Sequence, residues 1–407
     1  MTETSTDLQA AEPAVDSDAG GEQSANGRAD GLRGSVGSYL GGGQGLGGST
    51  ESDSDSGAAG GRDSVEPGSG RHRGSALHSG EGQGLGGSAE SDSDSGAAGG
   101  RDLGDSDSGR CSALHPGDTV LVTGASGLVG RVVVPCLAEA GFRVIATGRH
   151  RFDSPAADRV VLGDPRDPQW VESAVCGTAN GQPVDGIVHL AAIPSPGGHP
   201  DPEIFATNTQ GAFTILDAAA RLGVRVAAVA SSFSAYGYPW AGRRWSPPYV
   251  PIDEAQPAIP IDSYGLSKTV VEQVCAYADR RWGLPVVAFR MPFVGRGDHL
   301  AAWLKRSAAD PEAMAQELWA WIDTRDVGRA IIQALTVGLE GYHLLNIAAP
   351  DTTVEVPTRE LIKRYHPTTQ IIGEFPGCAS VVDCHQARRV LGFEARYSWR
   401  DGSALVV

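Results

Sequence analysis

The amino-acid sequence predicts an α/β fold in which a doubly wound parallel sheet carries helices on both faces. Three observations support this prediction. From residue 118 onward, short apolar and β-branched segments alternate with helical patterns, and the first such segment runs into a glycine-rich turn. The first 110 residues differ in composition and hold 28 of the 55 glycines. Such alternation is typical of parallel strands joined by crossover helices, so a compact domain is expected after a separate N-terminal segment.

Residues 1–115 are predicted to form a disordered acidic tail. The first 110 carry 19 acidic residues against 7 arginines, and Tyr39 is their one aromatic residue. Such a segment buries too little apolar surface to offset the entropy of ordering. Residues 44–63 recur at 83–102 with one difference, but these units lack the apolar positions with which solenoid repeats stack. We therefore interpret the tail as a flexible linker without chemistry of its own.

The rest of the chain excludes several classes of protein. It carries 30 acidic against 26 basic residues, which argues against nucleic acid as a partner. No apolar run has the length of a membrane span, and the N-terminus lacks the pattern of a signal peptide. Six scattered cysteines are typical of reduced thiols, and none has the spacing of a zinc site. We expect a cytoplasmic protein with no metal, membrane or nucleic-acid partner.

The predicted elements follow one another in a regular order. Strands are predicted at residues 118–123, 142–147, 159–162, 186–190, 224–230 and 285–289. Helices are predicted after the glycine turn up to Gly141 and at about 167–176, 203–222 and 263–282. Beyond residue 290 the pattern loosens into pieces near 300–320, 325–338, 357–366 and 383–392. We expect a sheet domain over 116–290 and a smaller cap with returning core elements over 291–407.

The glycine-rich turn joins the first strand to the first helix and reads Thr123-Gly124-Ala125-Ser126-Gly127-Leu128-Val129-Gly130. Gly124 permits a tight turn, Gly127 lets the backbone approach a pyrophosphate, and Gly130 allows close packing of helix against strand. The free N–H groups and the dipole of a helix N-terminus favour an anion. The turn therefore predicts a dinucleotide site, with Ser126, Leu128 and Val129 as further contacts.

The end of the second strand indicates which dinucleotide is bound. An acidic residue there would accept hydrogen bonds from the adenosine ribose and favour NAD. The sequence has Arg149 and Arg151 instead, with no carboxylate before Asp153. A guanidinium can hold a 2′-phosphate through several donors, so NADP is favoured and NAD stays open; solvated loop arginines are the alternative. Asp164, after the third strand, is expected to meet the adenine ring.

Tyr264 and Lys268 lie one helical turn apart and therefore on the same helix face. An ammonium beside a phenol stabilises the phenolate, which lowers the pKa of the tyrosine toward neutral pH. The chain contains only three lysines against 30 arginines, so a lysine at this spacing is unusual. The pair predicts acid–base chemistry, and a solvated helix pair is the alternative.

A hydroxyl that orients the reacting oxygen is expected at the end of the fifth strand, because such sheets build sites at the carboxyl ends of strands. Ser232 is the candidate, with Ser231 and Ser234 as competitors. Asn208, on the helix after the fourth strand, is a candidate for anchoring Lys268 through its amide or through a water molecule.

In this order, the motifs resemble those of the extended short-chain dehydrogenase/reductase family, also called the NAD-dependent epimerase/dehydratase family. The resemblance spans about residues 117–401. The motifs that carry it are Thr123–Gly130, His189-Leu190-Ala191-Ala192, Asn208-Thr209-Gln210-Gly211, Ser231-Ser232 before Tyr236-Gly237, Tyr264-Gly265-Leu266-Ser267-Lys268, and residues 322–327 and 387–393. It implies a Rossmann-type sheet with a small C-terminal substrate-binding cap.

The resemblance also implies roles for the site residues. Tyr264 is then the acid/base, Lys268 binds the nicotinamide ribose and lowers the pKa of the tyrosine, and Ser232 hydrogen-bonds the reacting oxygen. A homodimer through a helix bundle is expected. Further cofactor contacts would come from the residues after the fourth strand, Leu190, Ala191 and Ala192.

Two departures from the family pattern narrow the reaction. Dehydratases of the family place Asp-Glu directly after the hydroxyl residue, where this chain has Phe233 and Ser234. Only 36 positions separate Arg290 from Asp326, which suggests a smaller substrate than a nucleotide-sugar, as in members resembling uronate dehydrogenases. Candidate substrate contacts are His199, Arg290 and Arg296, together with Ser231 and Ser234.

We therefore expect an NAD(P)-dependent oxidoreductase or epimerase that transfers hydride to or from a secondary alcohol or ketone of a sugar or sugar-like small molecule. One alternative is a nucleotide-sugar 4-epimerase that recycles its cofactor internally. A second, from another class, is a non-catalytic dinucleotide-binding regulator, which has no need of an intact set of Ser232, Tyr264 and Lys268.

Overall fold

The computed structural model of the chain describes residues 112–242 and 244–406. The predicted tail and its duplication lie, up to residue 111, outside the described residues. Residues 112–115, which were assigned to the tail, belong to the folded part. Leu114 is buried, its N–H donates to the carbonyl of Leu335 at 2.8 Å, and its side chain packs over Gly186. The boundary at residue 115 was wrong because one leucine in a polar segment shows no periodicity.

The described residues form eleven strands and eight helices. The strands are β1 (Thr119–Thr123), β2 (Arg143–Gly148), β3 (Arg159–Leu162), β4 (Gly186–His189), β5 (Val226–Ala230), β6 (Tyr249–Val250), β7 (Val286–Arg290), β8 (Phe293–Val294), β9 (Trp321–Ile322), β10 (Tyr342–Asn346) and β11 (Gln370–Ile371). The helices are α1 (Gly130–Glu139), α2 (Pro168–Val175), α3 (Asp201–Leu222), α4 (Ser263–Trp282), α5 (Gly297–Ala309), α6 (Thr324–Thr336), α7 (Thr358–Tyr365) and α8 (His385–Leu391). No helix among them is both long and apolar enough to cross a bilayer.

Seven of the strands in the described part form one fully parallel sheet, in the order β10-β7-β5-β4-β1-β2-β3. β1 lies in the middle, where Val120 pairs with Val144 on one side and Gly186 on the other. All five residues of β1 are buried, as expected of a strand that is covered on both faces. The predicted doubly wound parallel sheet is confirmed.

The seventh strand of the sheet, β10, was not predicted. Its sequence contains His343 and Asn346, and its first three residues are only half-buried at the sheet edge. It therefore lacks the continuous apolar run of a central strand. β10 pairs in parallel with β7, with Leu344 opposite Ala288. The core elements that return after residue 290 thus include a full strand of the sheet.

Two layers of helices cover the sheet. On one face, α1, α6 and α8 build an apolar core that contains Val134, Ile331 and Leu391. On the other face, α2, α3 and α4 build a second core that contains Ile215 and Val271. Burying one apolar stripe of each helix against the sheet accounts for the three-layer architecture.

The remaining elements form a cap beside the carboxyl end of β5. β8 pairs with β9 and β6 pairs with β11, each as a short parallel pair. An apolar cluster of the cap combines Trp319 and Leu361 with Phe233 and Tyr236. Because Phe233 and Tyr236 follow β5 in a 3₁₀ turn, the cap packs directly onto the segment that carries the predicted serines.

Candidate active site

The predicted site residues come together where β1, β4 and β5 end. The glycine-rich turn follows β1, residues 190–192 follow β4, and Ser232 follows β5. The order of the strands reverses between β1 and β4. At such a point the connections leave in opposite directions and open a crevice at the carboxyl ends of the strands.

Two glycines of the turn have no room for a side chain. A Cβ on Gly124, which has φ of +70°, would lie 2.7 Å from the main-chain nitrogen of Ala191. A Cβ on Gly130 would lie 2.4 Å from the carbonyl oxygen of Gly124. The tight turn and the close helix packing that the sequence predicts for these two positions are therefore present.

The middle of the turn faces outward. Gly127 is exposed, Leu128 is 51% exposed, and α1 begins only at Gly130. Leu128, which is predicted to contact the dinucleotide, therefore lies in the turn and precedes the helix. Within the described residues, no side chain caps the first N–H groups of α1. An uncapped helix start behind a turn with glycine at positions 124, 127 and 130 suits a pyrophosphate, so the residues present fit a dinucleotide.

The residues predicted to meet the adenosine end lie near one another. Arg149 and Arg151 are exposed after β2. Asp164 forms an ion pair with Arg166 at 2.6 Å, a partner that the sequence did not reveal. Hydrogen bonds from Arg166 lower the pKa of Asp164, and the positive charge of Arg149 contributes in the same direction. Arg149 and Asp164 therefore lie within electrostatic range at the same end of the crevice.

α4 begins in close contact with the segment after β5. Asp262 caps the helix and accepts a hydrogen bond from the Gly265 N–H at 2.8 Å. A Cβ on Gly265 would lie 2.5 Å from the carbonyl oxygen of Ser234, so only glycine permits this approach. The first turn of α4 thereby brings Tyr264, which is 9% exposed, next to Ser232.

The pKa of Tyr264 differs from the sequence prediction. Burial raises it to about 12, hydrogen bonding with the Ser232 hydroxyl lowers it, and the charge of Asp262 raises it. The prediction of a lowered pKa was wrong for the free protein. The Lys268 ammonium lies 5.7 Å from the centroid of the tyrosine ring, and burial dominates. At neutral pH the phenol is therefore protonated, which is the form that donates a proton.

Lys268 lies on the same face of α4 and is buried. Its Nζ donates to the carbonyl oxygen of Ala230, the last residue of β5, at 2.8 Å. Burial lowers its pKa to about 8, whereas Cys275 and Glu272 act in the opposite direction. Most of the lysine is still charged at pH 7, so the site presents a desolvated ammonium at the end of β5.

Asn208 has a different partner from the one predicted. It is 1% exposed on α3, and its amide donates to the Ser267 hydroxyl at 2.9 Å and to the carbonyl of Ile193 at 3.1 Å. The prediction of a direct contact between the Asn208 amide and Lys268 was wrong, because the amide donates to Ser267, the residue before Lys268. Asn208 thus joins α3, α4 and the loop after β4.

Ser231 and Arg290 were predicted to contact substrate, and the structure turns both away from the crevice. The Ser231 hydroxyl donates to the carboxylate of Glu272 at 2.5 Å. Arg290 donates to the same carboxylate from Nε at 2.8 Å and from Nη2 at 2.7 Å. All three side chains are buried. These two predictions are corrected: both residues belong to an internal network.

Three further candidates occupy separate positions. Ser234 is buried in the 3₁₀ turn, and its N–H donates to the Ser232 hydroxyl at 3.1 Å, which helps to orient that hydroxyl. His199 is exposed and lies 3.2 Å from Glu203 on α3. Arg296 is half-buried immediately before α5. Substrate contact by these residues stays a prediction.

Sequence reasoning missed two buried residues of the site. Glu272 lies four residues after Lys268, and that spacing on one helix face was the available signal. His189 ends β4 and shares a hydrogen bond of 2.8 Å with the Thr123 hydroxyl at the end of β1. Burial, aided by the charge of Lys268, lowers the pKa of His189 to about 3, so it is neutral at physiological pH.

Comparisons with known proteins show which family the chain resembles. The model of the NAD dependent epimerase/dehydratase family matches residues 120–348. A UDP-glucose 4-epimerase of Lacticaseibacillus casei is 33% identical over 179 residues, which are 42% of this chain and 50% of that protein. The chain spans about half the length of the curated relatives that it matches.

Solved structures share the fold over a longer stretch. MoeE5 in complex with UDP-glucuronic acid and NAD is 25% identical, with a TM-score of 0.53 over 70% of this chain and 96% of that chain. A short-chain dehydrogenase/reductase superfamily protein from Agrobacterium tumefaciens with bound NAD is 25% identical, with a TM-score of 0.52 over 70% and 94%. The family match covers more than half of the chain and includes the glycine turn, Ser232, Tyr264 and Lys268. The chain belongs to the NAD-dependent epimerase/dehydratase family, that is, to the extended short-chain dehydrogenases/reductases.

Proposed function

We propose that this chain is an NAD(P)-dependent oxidoreductase or epimerase that acts on a secondary alcohol or ketone of a sugar or sugar-like small molecule. The observation that carries the proposal is the arrangement of Ser232, Tyr264 and Lys268. The three residues lie at the carboxyl end of β5. The glycine turn lies at the carboxyl end of β1 in the same sheet.

Each of the three side chains has a distinct role in the proposed reaction. Tyr264 exchanges a proton with the substrate oxygen, and its protonated state in the free protein suits the reduction of a ketone. Ser232 holds that oxygen, and the Ser234 N–H fixes its hydroxyl. Lys268 offers donors to ribose hydroxyls while it is anchored on Ala230. The bound dinucleotide supplies hydride exchange with the substrate carbon.

We propose NADP as the preferred dinucleotide, with NAD as the second candidate. Exposed Arg149 and Arg151 at the end of β2 support NADP, because guanidinium groups suit a 2′-phosphate. NAD is supported by the two structural neighbours, whose descriptions name bound NAD. The ratio of the two dissociation constants, measured by fluorescence titration with NADPH and NADH, decides between them.

A nucleotide-sugar 4-epimerase is the second candidate function. It is supported by the curated relatives named UDP-glucose 4-epimerase and by the UDP-glucuronic acid in the MoeE5 complex. The short span between Arg290 and Asp326 supports a smaller substrate instead. A non-catalytic regulator is disfavoured, because it would not require a buried tyrosine, lysine and serine grouped at the end of β5.

The experiment that tests the proposal uses the purified full chain. We expect it to bind NADPH or NADH, with a change in nicotinamide fluorescence. A panel of aldoses, uronates and UDP-sugars then separates the candidates. Net production or consumption of the reduced dinucleotide identifies a dehydrogenase or reductase, whereas epimer formation without net change identifies a 4-epimerase. Binding of neither dinucleotide would refute the proposal.

We also propose a cytoplasmic homodimer formed through α3 and α4. Phe213 of α3 and Tyr277 of α4 are 46% and 37% exposed, and their rings stack at 6.2 Å between centroids. An exposed aromatic pair on two packed helices is suited to burial against a second copy.

The five cysteines of the described residues are free, which suits a reducing compartment and supports the cytoplasmic location that we propose.

A further inference from the structure

Glu272 on α4 is a buried carboxylate with partners on two strands of the sheet. It accepts a hydrogen bond from Ser231, directly after β5, and two from Arg290 at the end of β7. Both members of the ion pair have side chains no more than 5% exposed. Such a buried ion pair differs from the solvated pairs of a protein surface, because both charges have lost their water. The proposed chemistry of Ser232, Tyr264 and Lys268 does not by itself require this pair.

The register of α4 against the segment after β5 connects Glu272 to the catalytic residues. Tyr264, Lys268 and Glu272 follow one another at intervals of four residues and share one helix face. Three consecutive residues of the facing segment meet them. Ser232 lies close enough to Tyr264 for its hydroxyl to lower the pKa of the phenol, Ala230 accepts from Lys268, and Ser231 donates to Glu272.

The network continues from Arg290 into the cap. The guanidinium of Arg290 lies 4.4 Å from the centroid of the Tyr236 ring, which follows β5 by a single turn. The Tyr236 hydroxyl lies within hydrogen-bond distance of two acceptors, Asn346 Oδ1 at 3.0 Å and the main-chain carbonyl oxygen of Asp253 at 2.9 Å, and shares its one proton between them. Glu272 is therefore the point at which the helix of the acid–base pair, two sheet strands and the cap are joined.

We propose that Glu272 is a positioning residue of the active site: it fixes α4 against the ends of β5 and β7, so that Lys268 and Ser232 are presented together. The inference rests on the proposed function, because it assigns Glu272 a task in the same site. It acts through Lys268 and Ser231 and does not itself contact the reacting atoms.

The charge of Glu272 has a second effect, on the protonation of Lys268. The titratable groups around the ammonium are Tyr264, Glu272 and Cys275 on α4, His189 on β4 and Arg290 on β7. At neutral pH Tyr264, Cys275 and His189 are uncharged, because burial raises the pKa of the first two and lowers that of the third. Glu272, which also pairs with Arg290, is the carboxylate of α4 that raises the pKa of the buried ammonium.

The test uses the titration of Lys268 in the full chain. Because the protein has only three lysines, lysine labelled with ¹³C and ¹⁵N gives few signals, and Lys305 and Lys363 serve as internal references. We expect Glu272→Gln to move the titration of Lys268 to lower pH. Glu272→Asp keeps the carboxylate, so Lys268 should titrate in this variant as it does in the wild type. Ser231→Ala removes only the link to β5 and should leave the titration unchanged.

Turnover of the best substrate from the panel gives the second readout. Ser231→Ala and Glu272→Gln should lower kcat about 10- to 100-fold with little change in KM, because small displacements of catalytic groups have effects of this size. Ser307→Ala, which removes a buried hydroxyl in α5, is the matched control and should retain wild-type turnover.

Two results would overturn the proposal: a folded Glu272→Gln with an unchanged Lys268 titration, or a Ser231→Ala variant with wild-type kcat. If Glu272→Gln does not fold, Ser231→Ala and Glu272→Asp still decide the question. Failure of the wild-type chain to bind NADPH and NADH would refute the proposed function instead, and the lysine titration would still report on Glu272.

Discussion

Lys268 and Ala230 are joined by a hydrogen bond of 2.8 Å, from the ammonium of α4 to the main-chain carbonyl at the end of β5. A lysine ammonium has three N–H donors, so this bond orients the group and leaves donors for a ligand. It also keeps the charge at the end of the strand, where Ser232 follows. The pH dependence of the site follows from this buried ammonium.

The first prediction concerns that pH dependence. The pKa of Lys268 is about 8 in the fold, below its ordinary 10.5, so the protonated form predominates below pH 8. If the ammonium binds ribose hydroxyls, affinity for NADPH should fall as the pH rises through 8. Fluorescence titrations between pH 6 and 10 measure it. Lys268→Met should bind weakly with no such pH dependence, and a flat profile of the wild type would contradict the role.

The second prediction concerns the acid–base residue. Tyr264→Phe removes the hydroxyl that exchanges the proton and should lower kcat about 10²- to 10⁴-fold. Dinucleotide affinity should change little, because Lys268 and the glycine turn remain. Tyr365→Phe, a buried tyrosine of α7, is the matched control. Wild-type turnover by Tyr264→Phe would exclude the tyrosine as the acid/base.

The third prediction concerns the glycine turn. A Cβ on Gly130 would meet the Gly124 carbonyl at 2.4 Å, so Gly130→Ala should lower the free energy of unfolding by about 1–3 kcal/mol. It should also abolish dinucleotide binding, because the turn must shift. For Gly242→Ala, the control, no atom of the part of the chain that the structure describes, its chain neighbours apart, lies within 4 Å of the new Cβ. Denaturant unfolding and NADPH titration measure both effects; unaltered binding by Gly130→Ala would be inconsistent with a pyrophosphate site.

The fourth prediction concerns the choice of dinucleotide. Arg149→Ser removes an exposed guanidinium within electrostatic range of Asp164. A charge-assisted hydrogen bond contributes about 1.5–3 kcal/mol, so NADPH should bind at least about tenfold more weakly and NADH almost unchanged. The two titrations are compared in the same buffer, because salt screens the phosphate contact. Equal losses for both dinucleotides would argue against recognition of a 2′-phosphate.

The fifth prediction concerns assembly. Phe213→Asp places a charge on the exposed aromatic pair of α3 and α4 and should convert a dimer to a monomer in light scattering. Val337→Asp changes a residue of equal exposure after α6 and should leave the mass unchanged. A wild-type monomer would refute the dimer, and a dimer that persists in Phe213→Asp would place the interface elsewhere.

Much of the sheet was predictable, because central parallel strands are apolar on both faces and are followed by turns that contain glycine. β1 and the turn from Gly124 to Gly130 are read directly from the sequence for that reason. β10 was not, since an edge strand with His343 at its second position has no such run. Leu114 was missed because isolated apolar residues carry no period.

The catalytic residues were predictable to a lesser extent. The spacing of Tyr264 and Lys268 fixes a shared helix face, but not what surrounds it. Whether Ser231 or Ser232 faces Tyr264 depends on Glu272, more than forty residues away, and that contact arises only from packing. The raised pKa of Tyr264 likewise reflects burial, which spacing does not reveal.

The seven-stranded sheet has a consequence for the biosynthesis of the protein. β10 and α6 leave the ribosome after the crevice residues, yet they cover β7 and α1. Until Asn346 has emerged, the nascent chain exposes the apolar edge of β7 and lacks one of the two acceptors of the Tyr236 hydroxyl. We expect chains that stall between residues 290 and 340 to bind chaperones and to aggregate. Chains that stall beyond residue 400 contain all the strands of the sheet and should do so much less.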